Sequence, residues 1–127
     1  MLSQLKARDR EVRAHEAAHQ SVGGLYAGSA SFTYQKGPDG NQYAIGGEVP
    51  VDVSPVPGDP QATIDKMMTI RAAALAPAQP SGQDRAVAAK AVQALFKARA
   101  EQASGEYGSV SRLSLDRADG PTLTVRA

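Results

Sequence analysis

His15 and His19 are the only two histidines in the chain, and with Glu16 between them they spell H-E-x-x-H. On a helix, side chains four residues apart project from one face a turn apart, so both imidazoles can reach a single ion. Zinc suits such a pair, since it accepts imidazole nitrogen at about 2.0 to 2.1 Å. Glu16 lies beside that face, where a carboxylate can take a proton from the hydrolytic water while a metal acidifies the water and polarises a scissile carbonyl. The chemistry implied is metal-assisted hydrolysis of a peptide bond. The bland alternative is two packed, hydrogen-bonded histidines, with Glu16 solvated on the helix flank.

A catalytic zinc needs a third protein ligand and an open position. With no cysteine and no further histidine, that ligand must be Asp or Glu. Glu48 is the expected ligand: Gly46 and Gly47 before it let the backbone approach the metal helix, and its strand face carries polar groups. Asp52 shares the face but lies about 13 Å further along an extended strand, so only one of the two can bind the ion. A bend at Pro50 would return Asp52 as a partner for a histidine N–H. Between Glu48 and Asp52 the spacing does not choose. Tyr34 and Tyr43 are expected near the same cleft, where a phenol could hydrogen-bond an oxyanion, the alternative being packing with a wet hydroxyl. Nothing supports the longer metzincin pattern, because Leu25 to Gly28 contain no histidine.

The elements that must position these residues follow from periodicity. Leu5, Val12, His15, His19 and Val22 recur at helical spacing from about Leu2 to Val22, and Gly23-Gly24 then ends the helix. Ser31 to Lys36 and Asn41 to Val53 read as the arms of a β-hairpin around Gly37-Pro38-Asp39-Gly40. In the second arm Tyr43, Ile45, Val49, Val51 and Val53 are expected on one face, with Ala44, Gly46, Glu48 and Asp52 on the other. Asp59 caps a helix from Pro60 to about Leu75, with Ile64, Met67, Met68, Arg71 and Leu75 inward. Ser81 with Asp84 resembles a capping box, which opens an alanine-rich helix to about Ala103, its stripe carrying Val87, Ala91, Leu95 and Ala98 and Gly105 ending it. Beyond it, Val110, Leu113, Leu115, Leu123 and Val125 alternate weakly around Asp119-Gly120, as a short hairpin or a mobile tail.

Composition sets the class. The chain has 127 residues, which suits one domain, and 42% hydrophobic with 21% charged residues reads as soluble and globular. A formal net charge of +1 with no basic run leaves no footprint for nucleic acid or anionic lipid. No apolar run approaches the roughly 18 to 20 residues that span a bilayer, and a charged N-terminus is unlike a signal peptide. Compartment, cytoplasmic or exported, and oligomeric state are not legible.

The chain resembles the SprA-related family of bacterial zinc metallopeptidases. The resemblance is carried by Val12-Arg13-Ala14-His15-Glu16-Ala17-Ala18-His19, by Tyr34 to Gly40, and by Tyr43-Ala44-Ile45-Gly46-Gly47-Glu48-Val49. It continues through Ser54 to Pro60 and Arg71 to Pro77 into the helix after Ser81, and so spans about Arg10 to Gln102. It implies a zinc peptidase acting on peptide or protein substrates. In gluzincin-type families the third ligand is a downstream Glu, often followed four residues later by a supporting Asp. Glu48 and Asp52 match that spacing, although the family pair usually sits on a helix and this segment reads as a strand.

Together these readings predict an α+β, minimal zincin-like domain over residues 1–104, with a tail over 105–127. Zn2+ and Glu16 would hydrolyse peptide bonds. The alternative is a catalytically silent zinc-binding or protein-interaction module.

Overall fold

The first helix, α1 (Leu2–Gly23), buries Leu5, Val12, Glu16 and His19 along one side. It stops at Gly24, whose φ of 54° costs little only without a side chain. The computed structural model describes residues 1–104 and 122–127 of the chain. A single 3-10 turn (Gly24–Tyr26) leads to a hairpin of β1 (Ser31–Lys36) and β2 (Gln42–Asp52). Its turn is closed by the Gly40 amide on the Gly37 carbonyl and the Gly37 amide on the Asn41 carbonyl.

The hairpin departs from simple alternation. Its register shifts between Thr33 and Tyr34, which pair with Gly46 and Ala44, so Ile45 is an extra residue on β2. A one-residue bulge exchanges the two faces of a strand. Before it Ala44 is fully buried; after it Val49 and Val51 are buried and Gly47 lies against Glu16. The face expected to run from Tyr43 through Val53 is therefore broken at Ile45. Side chains of α1 satisfy the bulged backbone: the Ala44 amide donates to Asp9 Oδ1 at 2.8 Å, and Arg8 Nε donates to the Ile45 carbonyl at 3.2 Å.

Asp59 caps α2 (Pro60–Ala74) by accepting the Ala62 amide at 3.0 Å, with Pro60 opening the helix. The inner stripe is turned from the expected one. Ile64, Met67, Ile70, Ala73 and Ala74 are buried, whereas Met68 is 54% and Leu75 37% exposed and Arg71 also faces out. The buried stripe is centred on Met67 and runs through Ile70, so Met68 and Leu75 fall beyond its edge. α3 (Gly82–Ser104) buries Val87, Ala91, Leu95 and Ala98 as its periodicity requires, and its alanines let α2 pack closely.

β3 (Thr122–Arg126) pairs antiparallel with β2, with Val125 opposite Val49, and makes the sheet order β1-β2-β3. The described residues thus form an α+β fold of three helices and a three-stranded antiparallel sheet. Its core gathers β2, α2, α3 and Val125. The stop at Gly105, the alternation through Val110, Leu113 and Leu115, and the turn at Asp119-Gly120 lie outside the described residues. No helix among the described residues is long and apolar enough to cross a membrane.

Candidate metal centre

Two helices build the site. α1 supplies His15, Glu16 and His19, and the first turn of α3 supplies Asp84. Among the described residues, His15, His19 and Asp84 form the one group of three metal-ligating side chains, each offering an atom within 4.8 Å of the others. His15 Nε2 lies 2.8 Å from Asp84 Oδ2, and His19 Nε2 lies 3.2 Å from Asp84 Oδ1. The two rings meet edge-on, with centroids 4.9 Å apart.

His19 and Asp84 are each oriented by hydrogen bonds with the surrounding backbone. His19 Nδ1 is 2.8 Å from the Ala73 carbonyl. A carbonyl only accepts, so Nδ1 carries the hydrogen and Nε2 turns its lone pair toward Asp84. His19 is wholly buried, and that burial lowers its pKa, which keeps the ring neutral; the Ala73 carbonyl and Asp84 oppose the shift. Asp84 is equally buried and is oriented by backbone donors, the Ser81 amide on Oδ2 at 2.9 Å and the Arg126 amide on Oδ1 at 3.0 Å. Its own amide donates to Ser81 Oγ, which completes the capping box.

Glu16 is fully buried, and neither carboxylate oxygen makes a hydrogen bond of normal geometry; His19 Nε2 is likewise without one. Buried polar atoms without partners are rare and mark a place where a ligand, ion or water belongs. Burial raises the Glu16 pKa to about 7, with His15 and the Ala127 amide pulling it down and Asp84 and Glu48 adding to the rise. A carboxylate of that basicity suits proton transfer near neutrality. Gly47 makes the burial possible: a Cβ there would stand 2.9 Å from Glu16 Cγ and 3.0 Å from Phe32 Cδ1. The close approach to α1 is made by Gly47 alone, at Glu16; the nearest atom to a Cβ at Gly46 would be Thr33 Cβ at 3.9 Å.

The other expected residues lie elsewhere. Glu48 follows Gly47, whose face meets Glu16, so its side chain leaves the opposite face of the sheet, where its Oε2 lies 3.5 Å from Arg126 Nη2. The carboxylate brought to the histidines is Asp84, and Glu48 is not among the converging ligand atoms. Asp52 accepts hydrogen bonds from Ser54 and from the buried Lys66 ammonium at 3.1 Å. The histidine N–H it was expected to receive goes to Ala73. Tyr34 is 48% exposed and shares the Arg13 guanidinium with Phe32, and the Tyr43 hydroxyl donates to Asp39 in the hairpin turn. Neither phenol is at the histidines.

Asp84 is the residue that sequence reasoning passed over, because a capping box already explained it. One signal was available. The residue three places after the cap in that motif normally is Glu or Gln, whose longer chain reaches back to the cap. An Asp in that place is a small anomaly.

A cleft of about 520 Å³ opens on His15, walled by Ala14, Ala18, Pro77, Gln79 and Ser81, with Ala127 at its side. It gives His15, which is 13% exposed at its side chain, access to solvent. A family model matches residues 1–117, and its family is SprA-related. The chain belongs to the SprA-related family. The match reaches further than the blocks from Arg10 to Gln102 and stops short of β3. Asp84 and the whole H-E-x-x-H helix fall within the region shared with the SprA-related family. No curated protein and no solved structure matches the chain.

Proposed function

We propose that this SprA-related protein is a zinc-dependent peptidase in which His15, His19 and Asp84 hold the metal and Glu16 is the general base. The observation that supports it is the convergence of three ligand atoms within 4.8 Å beside a buried carboxylate that has no hydrogen-bond partner. Two neutral nitrogens and one carboxylate oxygen are a donor set that zinc accepts, and the cleft leaves room for a further ligand. A bound zinc would supply Lewis-acid polarisation of a peptide carbonyl and would lower the pKa of a water beside it. The chain's own residues do the rest. Glu16, one position from His15, takes the proton of the attacking water and returns it to the leaving amine. The Ala73 carbonyl keeps the His19 lone pair directed at the site, and Ser81 with the Arg126 amide fixes the rotamer of Asp84. Glu48 and Asp52 take no part in this scheme.

Metal analysis of the purified full chain tests the reading. About one equivalent of zinc is expected in the wild type and in Glu48→Ala, and far less in Asp84→Ala. Cleavage of a quenched fluorescent peptide library by the zinc-loaded chain, suppressed by 1,10-phenanthroline and absent in Glu16→Gln, tests the hydrolytic step. Full zinc content in Asp84→Ala overturns the ligand set. Metal binding with no cleavage of any library member leaves a catalytically silent zinc module.

A further inference from the structure

β3 lies in a slot that reads its backbone from both sides. On one side it pairs with β2 from Glu48 to Asp52, and the Ala127 amide continues the ladder to the Gly47 carbonyl at 3.1 Å. On the other side, three polar residues at and just before the start of α3 reach its main chain. Gln83 Nε2 donates to the Thr124 carbonyl at 2.9 Å, the Ser81 hydroxyl donates to the Arg126 carbonyl, and Asp84 accepts the Arg126 amide. These bonds go to peptide groups and are indifferent to the side chains of whatever strand lies there. Side-chain selectivity is confined to a few places. Val125 is fully buried against the core, Leu123 packs beside it, and Arg126 meets Glu48 at the rim.

The slot ends at the candidate metal centre. Asp84 touches both histidines and the strand, Ala127 lines the cleft beside His15, and the Ala127 amide acts on Glu16. β2 and the first turn of α3 lie within the residues that the family model matches, 1–117, and β3 lies beyond them.

We infer that the slot between β2 and the first turn of α3 is a docking site for an extended peptide with aliphatic residues at two alternate positions followed by a basic one, and that β3 is an in-chain occupant competing for it. The inference rests on the peptidase reading only for what happens to the docked peptide; docking itself needs no metal. Exchange is near balance, because an incoming strand of that pattern remakes the same main-chain bonds and fills the Val125 site. β3 holds the advantage of being tethered, which for a short link corresponds to an effective concentration of roughly millimolar.

The test uses the full chain and a fluorescein-labelled peptide with the sequence of residues 122–127, followed by anisotropy with and without zinc. Val125→Asp, which cannot seat in the apolar site, should vacate the slot and bind the labelled peptide at least about tenfold more tightly than the wild type. The double variant Pro50→Cys/Thr124→Cys, at directly paired positions in a chain without other cysteines, should lock β3 when oxidised. Oxidised protein should then bind less peptide than the same protein after reduction. Folded Val125→Asp that binds no better than wild type overturns the inference. If Val125→Asp does not fold, equal binding by oxidised and reduced double variant, including none by either, overturns it. Peptide docking without any zinc uptake would keep the slot and sink the peptidase reading; zinc uptake and cleavage with no effect of the lock would do the reverse.

Discussion

At the scale of single residues, the site turns on which carboxylate meets the histidines and on what burial does to Glu16. Asp84 touches both Nε2 atoms, whereas Glu48 is 41% exposed at its side chain and pairs with Arg126. Asp84→Asn is therefore expected to weaken zinc binding far more than Glu48→Ala, read by competition with a chromophoric chelator, and comparable losses in both would show that the ligand set is wider than the triad. Glu16→Gln should keep zinc and lose most turnover. It also changes how the metal-free protein responds to pH. The folded Glu16 has a pKa of about 7 against an ordinary 4.5, so the native state holds a proton that the unfolded chain releases. Stability linked to Glu16 is present below about pH 4.5 and declines as pH rises toward 7. Urea unfolding of metal-free protein should show Glu16→Gln gaining on wild type by on the order of 2 kcal/mol at pH 8 and by little at pH 4. A constant difference across that range would mean that Glu16 is not desolvated in the native state.

At the scale of elements, a short motif at the start of α3 serves two ends. Ser81 caps the helix through the Asp84 amide and, through its own amide, holds Asp84 toward the histidines. Ser81→Ala should cost about 1 kcal/mol of stability, as the loss of an N-cap does. It should also weaken zinc binding by less than about 10 to 100-fold, the usual cost of losing a group that orients a ligand, because the Ser81 amide remains. Ser81→Thr should restore both. β2 offers a second case at Gly47, which has Glu16 Cγ and Phe32 Cδ1 within 3.0 Å of where a Cβ would stand. Gly47→Ala is expected to destabilise by about 1 to 3 kcal/mol, as overpacking does, and to displace Glu16. Gly46→Ala, whose nearest such contact is 3.9 Å, should be mild by comparison. Thermal melts of the two variants side by side decide the matter, and equal melting temperatures would deny the close approach of β2 to α1.

At the scale of the molecule, the triad ties α1 to α3 across 65 to 69 positions of chain. If the site takes the proposed zinc, such a tie would couple metal binding to folding, since the unfolded chain does not preform the site. Zinc at a hundred times its dissociation constant should stabilise the fold by about 2.7 kcal/mol, which is roughly 10 °C in Tm for a domain of this size. Calorimetry of the full chain with zinc and with excess chelator measures this shift. A Tm indifferent to zinc would mean that no ion binds across the two helices.

Much of this architecture is written in local pattern. Helical periodicity marks α1 and α3, the turn residues mark the hairpin, and Asp59-Pro60 marks the start of α2; the H-E-x-x-H pair needs only a helix to align its rings. These are short-range effects, set by neighbours within a turn or two. Three features were settled only by packing. The bulge at Ile45 placed Gly47, and not Glu48, against α1, because one extra residue exchanges the faces of the strand and the position of that residue is set by its pairing with β1. The approach of α3 to α1 chose Asp84 from thirteen carboxylate residues, a contact between segments whose spacing along the chain carries no periodic signal. The sheet over Gly47 closed Glu16 away from water, and it is that desolvation, rather than the identity of the residue, that raised its pKa into the range where it can act as a base.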